Sequence, residues 1–113
     1  VTAVEAVSQT RPLPADKPEI AAAHAFAGGM IGMAAVYLDT GSGAERPVAP
    51  AVIRAVREMV SLPLWVGGGM RRPEQVVAAR EAGADFIVVG TAVEDGGAET
   101  VRALVAAVRD GGR

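Results

Sequence analysis

The sequence of 113 residues has no cysteine and few aromatic residues: one tryptophan, one tyrosine and two phenylalanines. The lack of cysteine excludes disulfides, thiolate zinc sites and a cysteine nucleophile, and it is typical of a reducing cytoplasm, where we expect the protein to act. The formal net charge is −2, and acidic and basic residues are interspersed. The sequence has no stripe of basic residues, and we therefore expect no binding of nucleic acid. No apolar run approaches the roughly 18 residues of a membrane span, so we expect no transmembrane segment.

Apolar residues make up 50% of the sequence, and they are mainly alanine and valine alongside 14 glycines. This composition favours closely packed helices and β-branched parallel strands. The length suffices for one small domain but falls well short of the roughly 250 residues of a complete (β/α)₈ barrel. We expect residues 1–113 to form one unit within a longer protein.

The first regular element predicted is a helix that begins near residue 16. Residues 1–15 show no clear periodicity and contain two prolines that break regular structure. Asp16 is placed to cap the helix, Pro18 suits its first turn, and Glu19 stands at the capping-box spacing from Asp16. The pair of glycines at 28–29 predicts where the helix weakens.

Three short apolar runs then alternate with helical segments. The runs predict strands buried on both faces, and the helices are expected to begin near Pro50, at Pro73 and at about residue 97. Strands that alternate with helices imply a parallel sheet with right-handed crossovers. An open doubly wound sheet and part of a (β/α)₈ barrel both satisfy this pattern. The predicted strands are residues 34–38, 64–66 and 86–89.

Small residues follow each predicted strand, in the segments 41–43, 67–69 and 90–91. Glycine lacks Cβ, so an oxygen of a ligand can approach the backbone N–H groups closely. A helix that follows such a turn adds free N–H groups and a partial positive charge. In barrels, consecutive glycine-rich turns of this kind form the usual phosphate site. Neither the phosphate-binding motif G-x-x-x-x-G-K-S/T nor the dinucleotide-binding motif G-x-G-x-x-G follows a predicted strand. Their absence argues against the open-sheet folds that bind nucleotides.

Asp39 is the side chain that we single out beside these turns. It lies at the end of the first strand, two residues after Tyr37 and on the same side of the strand, and we expect a buried carboxylate that binds a ligand hydroxyl. Other candidates have simpler interpretations. We expect His24 to be a helix histidine among alanines and Trp65 to pack in the protein. Arg71 and Arg72 are expected to be solvated loop residues that could assist the binding of an anion.

Four segments of the sequence together resemble geranylgeranylglyceryl phosphate synthases and their heptaprenylglyceryl relatives. They are residues 13–23 (Leu-Pro-Ala-Asp-Lys-Pro-Glu-Ile-Ala-Ala-Ala), 36–44 (Val-Tyr-Leu-Asp-Thr-Gly-Ser-Gly-Ala), 66–71 (Val-Gly-Gly-Gly-Met-Arg) and 82–92. The glycine turns alone are common to many phosphate-binding barrels, whereas the Tyr-Leu-acid-x-Gly-Ser-Gly-Ala stretch is far more specific. The resemblance covers about residues 10–95. It implies an α/β fold, the C-terminal half of a (β/α)₈ TIM barrel, with about three strands and four helices in this chain.

The resemblance implies a prenyltransferase that joins a polyprenyl group from its diphosphate to a hydroxyl of a phosphorylated three-carbon acceptor, sn-glycerol 1-phosphate. It also implies Mg²⁺ on the diphosphate, with its main ligand in a strand outside this chain. Asp39 would be the catalytic residue at the reacting hydroxyl. The residues implied to hold the acceptor are Tyr37, Leu38, Asp39, Thr40, Gly41, Ser42, Gly43, Gly68, Gly69, Gly90 and Thr91.

Two departures from the family keep other functions open. Glutamate is usual where this chain has Asp39, and tyrosine is common where it has His24. A relative from moenomycin biosynthesis farnesylates 3-phosphoglycerate, and an altered acid at position 39 would fit such a changed acceptor. The remaining alternatives are an isomerase or lyase with a phosphate-binding barrel, and an inactive half-barrel that only binds anions or assembles. An alanine-rich helix over 19–27 would allow close packing in a homo-oligomer.

Overall fold

The computed structural model describes residues 3–41 and 44–111. The described residues form three strands and five helices, in which strands and helices alternate after the first two helices. The elements in chain order are α1 (Ala3–Ser8), α2 (Pro18–Met30), β1 (Val36–Asp39), α3 (Pro50–Met59), β2 (Leu64–Gly67), α4 (Pro73–Ala82), β3 (Phe86–Val88) and α5 (Thr91–Gly111).

The three described strands form one parallel sheet in the order β1-β2-β3. Tyr37 of β1 pairs with Trp65 of β2, which in turn pairs with Phe86 of β3, so these three side chains form one row across the sheet. The next row on the same face, two residues closer to the carboxyl ends, contains Asp39, Gly67 and Val88. Strands that follow one another in sequence order, without a reversal, are the arrangement of a barrel.

One face of the sheet packs against the helices and forms the core. Its fully buried side chains come from α3, β2 and α4, because these central elements have neighbours on both sides. The largest of them are Ile53, Val56, Leu64, Val66 and Val76.

The other face of the sheet is uncovered by the described residues. Tyr37 is 51% exposed and Phe86 46% exposed, and the Trp65 ring stacks on Phe86 with ring centroids 4.2 Å apart. The prediction that the strands are buried on both faces is therefore wrong for this chain. The apolar runs suit a two-sided core, but the described residues supply helices on one side only.

The beginnings of the helices agree with the proline positions. Proline occupies the first turn of α2, α3 and α4, where its fixed φ suits the helix and its missing N–H costs nothing. The predicted capping role of Asp16 is wrong: Lys17 is the N-cap residue of α2, and no side chain caps it. Gly83 follows the end of α4, as predicted.

Two segments differ from the sequence-based expectation. Residues 1–15 were expected to lack regular structure, yet α1 spans Ala3–Ser8. The last helix, α5, begins at Thr91, and Gly97 has non-helical φ and ψ of 67° and −153° that kink it into two parts. The helix predicted from about residue 97 corresponds to the second part, and the first part was not predicted. Beyond this kink, Leu104 and Ala107 are buried. None of the helices that residues 3–41 and 44–111 form combines the length and the apolarity needed to cross a bilayer.

An arginine–aspartate pair connects the last turn of α3 with the residue that directly precedes β3. The Arg57 guanidinium donates to the Asp85 carboxylate at 2.8 Å, and the same carboxylate oxygen accepts the Leu64 N–H at 2.9 Å. Arg57 also donates to three backbone carbonyl groups around it, those of Val60, Leu62 and Gly83. We call this group the Arg57 cluster.

Candidate phosphate-binding site

A pocket of about 150 Å³ opens at the carboxyl end of the sheet. It is lined by the end of β1, the glycine turn after β2 and the junction of β3 with α5. The lining residues are Tyr37, Asp39, Gly68, Gly69, Met70, Arg71, Val88, Val89, Gly90 and Thr91. Six of these were predicted as site residues from the sequence, and the fold brings them together from three separate parts of the chain.

Tyr37 and Asp39 line the pocket from β1 and project from the same face of the strand. Two effects raise the pKa of Tyr37: the larger is the loss of solvent around its phenol, and the smaller is the negative charge of Asp39. Asp39 itself is exposed, so the expectation of a buried carboxylate is wrong. Its Oδ1 accepts the Gly41 N–H at 2.8 Å. This local bond orients the carboxylate at the rim of the pocket and uses the amide of Gly41.

The glycine turn after β2 has no room for side chains. Gly68 and Gly69 have φ of +88° and +69°, a region that residues with a Cβ rarely adopt. A Cβ on Gly68 would also press on Thr40 Oγ1 and would lie 2.9 Å from Asp39 Oδ1. A Cβ on Gly69 would meet the backbone carbonyl of Arg46. Glycine is therefore required here both by conformation and by the close approach of the β1 loop.

Gln75 fixes the backbone just beyond this turn. Its Oε1 accepts the N–H of Arg71 at 2.7 Å and that of Arg72 at 3.0 Å. Both amides are thereby engaged within the protein. An anion in the pocket would have to use other donors, among them the Arg71 side chain and the backbone of the glycine turn.

The third side of the pocket is the start of α5. The N–H groups of Val93 and Glu94 both donate to Gly90 O at 3.0 Å, so the helix is anchored on Gly90 and begins at Thr91. The first N–H groups of a helix have no partner inside the helix, and they carry a partial positive charge. Gly90 is exposed, and a Cβ there would meet nothing within 4 Å. The backbone is thus open to a ligand at this point.

The remaining predicted residues lie beside the pocket rather than in its lining. Leu38 packs against the core, so only its backbone could face a ligand. The Thr40 N–H donates to Gly67 O at 3.3 Å, while its buried Oγ1 has no hydrogen-bond partner. Gly41 is half-buried and follows directly. The predicted site residues Ser42 and Gly43 lie outside the described residues.

Sequence reasoning missed three lining residues and treated a fourth as secondary. Val88, Val89 and Met70 have no distinctive chemistry, and only the strand register reveals that they reach the pocket. The sequence pattern favours a solvated loop position for Arg71, yet it is the one cationic side chain in the lining. Its position directly after Gly-Gly-Gly-Met was the available signal. His24 and Trp65 fit their structural interpretations: the His24 ring bonds Ile20 O at 2.9 Å, and Trp65 stacks on Phe86.

These observations define part of a (β/α)₈ barrel, with a small glycine-lined pocket at the carboxyl ends of its strands that suits a small anion. Comparison with known proteins identifies the family of the chain. Residues 1–108 match the model of the PcrB family, and the chain belongs to this family.

Two curated relatives are similar along most of this chain. A geranylgeranylglyceryl phosphate synthase from Thermococcus gammatolerans is 55% identical over 91 residues, which are 80% of this chain and 36% of that protein. A protein of the same name from Spirosoma linguale is 54% identical over 93 residues, which are 82% of this chain and 37% of that protein. The chain thus spans little more than a third of the length of these relatives.

A solved structure gives the same result for the fold. The crystal structure of (S)-3-O-geranylgeranylglyceryl phosphate synthase from Thermoplasma acidophilum, in complex with substrate sn-glycerol-1-phosphate, superposes with a TM-score of 0.90 at 34% identity. The match covers 95% of this chain and 44% of that one. These shares agree with the prediction that the chain corresponds to half of a (β/α)₈ barrel.

Proposed function

We propose that the protein containing this chain is a prenyltransferase that joins a polyprenyl group to a hydroxyl of sn-glycerol 1-phosphate through an ether bond. The observation that supports this most strongly is the convergence of Tyr37, Asp39 and the two glycine turns on one pocket. Membership of the PcrB family supports the same activity. In this proposal the pocket holds the glycerol phosphate.

The phosphate would lie at the glycine turns. Gly68 and Gly69 leave the backbone bare, the start of α5 offers N–H groups at Gly90–Thr91, and the Arg71 guanidinium adds a positive charge at the rim. Backbone donors and one cation on separate segments match the several oxygens of a phosphate monoester. Asp39 would repel the phosphate and thereby orient the acceptor with its hydroxyl end toward β1.

The proposed reaction forms a C–O bond between the acceptor hydroxyl and the first carbon of the prenyl group. The bond from that carbon to the diphosphate oxygen breaks, and diphosphate leaves with the bonding electrons. The hydroxyl proton passes to the Asp39 carboxylate, whose second oxygen is not used by the Gly41 N–H. Tyr37, beside Asp39, would hold the acceptor in line with the prenyl carbon.

Mg²⁺ would neutralise the leaving diphosphate, but residues 3–41 and 44–111 do not form a site for it. They contain no group of three histidine, aspartate or glutamate side chains that could hold a metal, and Asp39 is the only acidic residue lining the pocket. The ligands of Mg²⁺ and the groove for the polyprenyl diphosphate would belong to parts of the protein outside this chain. The cytoplasmic location and the homo-oligomer also stay predictions.

A direct assay tests this function. The intact protein would be incubated with geranylgeranyl diphosphate, Mg²⁺ and sn-glycerol 1-phosphate, and the ether product measured by mass spectrometry. Gly69→Ala should lower acceptor binding at least tenfold, because the new Cβ meets the Arg46 carbonyl in a backbone conformation that alanine avoids. Gly29→Ala in α2 is the matched control, since its Cβ would make only an ordinary 3.6 Å contact with Leu62. Absence of ether product with polyprenyl diphosphates of every length would refute the proposal.

A second acceptor, 3-phosphoglycerate, is favoured by two features of the pocket. Asp39 is one methylene shorter than the glutamate usual in the family, which leaves space beside β1. Arg71 lines the pocket and could pair with the acceptor carboxylate. The same assay with farnesyl diphosphate and 3-phosphoglycerate separates the two acceptors, because each gives an ether product of a different mass.

A further inference from the structure

Gly67 is a glycine whose backbone does not require glycine. It is the last residue of β2, it is buried, and its φ lies outside the positive range that Gly68 and Gly69 occupy. Alanine could adopt this conformation without strain. What excludes alanine is space, because a Cβ at Gly67 would lie 2.6 Å from the Tyr37 hydroxyl oxygen.

The strand register explains this contact. Tyr37 pairs with Trp65, whereas Gly67 pairs with Asp39 on the same face of the sheet, two residues closer to the carboxyl ends of the strands. The Tyr37 side chain therefore leans from its own row across the Cα of Gly67, and its hydroxyl comes to lie beside the Asp39 row. This direction points the phenol toward the pocket that both Tyr37 and Asp39 line.

We propose that Gly67 is a positioning residue: its bare Cα provides the space in which the Tyr37 hydroxyl lies at the floor of the pocket. Gly67 does not itself line the pocket. It acts through Tyr37, and any side chain at position 67 moves the phenol away from Asp39. The consequence for acceptor binding rests on the proposed function, whereas the contact between residues 67 and 37 does not.

The surroundings of Gly67 determine which group yields to a new side chain. On the side of β3, an added Cβ would lie 3.1 Å from Val88 Cβ and 3.3 Å from Val88 O. Those contacts are tight, but a shift of a few tenths of an ångström relieves them. The Tyr37 contact is closer, and Tyr37 is 51% exposed, so its ring is free to rotate away from the strand. Tyr37 is therefore the group that moves.

A double-mutant cycle on the intact protein tests this coupling. The variants are Gly67→Ala, Tyr37→Phe and the two combined, with Gly29→Ala as the matched control. Phenylalanine keeps the ring but removes the oxygen that the new Cβ would meet. Two quantities are measured for each variant: the melting temperature, and the Kd of sn-glycerol 1-phosphate by isothermal titration calorimetry.

We expect Gly67→Ala to weaken acceptor binding by about tenfold in the parent protein and by less than about threefold in the Tyr37→Phe background. The melting temperature should show the same pattern, with a smaller loss once the hydroxyl is absent. Gly29→Ala should leave the Kd unchanged and should not lower the melting temperature, since alanine is the better helix former. If Gly67→Ala alone fails to fold but the double variant folds, the proposal is also supported, because only the hydroxyl differs between them.

Equal losses in both backgrounds would overturn the proposal, since the substitution would then act on β3 and not on Tyr37. Failure of both Gly67→Ala variants to fold, or no loss in either, would overturn it too. The cycle also separates this inference from the proposed function. Coupling in the melting temperature without any binding of sn-glycerol 1-phosphate would refute the acceptor and leave the relation between Gly67 and Tyr37 intact.

Discussion

Arg57 and Asp85 meet at 2.8 Å at the end of the sheet opposite to the pocket. Arg57 belongs to α3 and Asp85 directly precedes β3, so the pair connects segments 28 residues apart. The Leu64 N–H bonds the same carboxylate at the start of β2. One side-chain pair thus fixes the beginnings of two adjacent strands, whose other ends carry the glycine turn and the start of α5.

Arg57→Ala should destabilise the protein by about 1–3 kcal/mol, because it removes hydrogen bonds from a guanidinium to three carbonyl groups as well as the partner of Asp85. The ion pair itself is partly exposed and contributes little of this. Denaturant unfolding of the intact protein measures the loss. Arg54→Ala, an exposed arginine of the same helix, is the control and should change stability by less than about 0.5 kcal/mol. Similar losses for the two variants would show that the Arg57 cluster does not stabilise the fold.

Asp85 predicts how stability changes in acid. The pKa of Asp85 lies below its ordinary value of 3.8. The largest cause is the hydrogen bond from the Leu64 N–H, and the hydrogen bond from Arg57 and the charges of Arg57 and Arg80 act in the same direction. Partial burial opposes them. A lowered folded-state pKa stabilises the protein above pH 3.8, and that contribution is lost as the pH falls through the folded-state pKa.

Asp85→Asn should therefore lower the melting temperature at neutral pH, and its difference from the parent should shrink as the pH falls from about 5 to below 3.8. Melting curves measured across this pH range test whether the difference in melting temperature shrinks in acid. Asp95→Asn, an exposed residue of α5, serves as the control. A difference that stays constant with pH would mean that the charge of Asp85 is not coupled to folding.

Asp39 variants separate the two acceptors. Asp39→Asn keeps the size of the side chain and an oxygen for the Gly41 N–H, but it removes the charge and the capacity to take a proton. It should lower kcat by roughly 100-fold or more if Asp39 is the base. Asp39→Glu restores the reach usual in the family. It should preserve or raise turnover with sn-glycerol 1-phosphate, and lower turnover with 3-phosphoglycerate by repelling the acceptor carboxylate.

Steady-state assays with both acceptors distinguish these cases. Near-normal turnover of Asp39→Asn with each acceptor would make Asp39 structural, and its bond to Gly41 would then be its role. The melting temperature of each variant serves as the check that a loss of turnover does not reflect unfolding.

The uncovered face of the sheet predicts that the 113-residue chain alone associates. Tyr37 and Phe86 are each about half exposed there, and the outer strand edges of an open sheet invite pairing. We expect dimers, aggregates or a partly molten state, seen by sedimentation velocity and by binding of a hydrophobic dye. Phe86→Gln should reduce association relative to Met30→Gln, a change at an exposed apolar residue of α2. A monomer that unfolds cooperatively would contradict this prediction.

The helices and strands were largely predictable because their signals are local. Pro50 and Pro73 begin the helices predicted from them, and the apolar runs mark β2 and β3. The part of α5 that follows its kink at Gly97 was predicted. The part before the kink was missed because Glu94, Asp95 and two glycines resemble a loop, whereas the helix begins directly after Gly90.

What the sequence could not reveal depends on neighbours distant along the chain. An apolar strand looks the same whether one or both of its faces are covered, so the strand pattern alone did not indicate the exposure of Tyr37 and Phe86. An exposed apolar interior follows only from the expectation that the chain is half of a barrel. The entry of Val88 and Arg71 into the pocket, and the contact of Gly67 with Tyr37, require the register of the sheet. The roles of the individual site residues stay predictions.

The stack of Trp65 on Phe86 gives this half of the barrel an optical signal of its own. Trp65 is the only tryptophan of these 113 residues, and it lies partly exposed in the same row as Tyr37. Its indole fluorescence responds to the water around it, so any partner that covers the sheet should shift its emission to the blue. Docking of the remaining strands, or association of two chains through this face, could be followed by fluorescence without an added label.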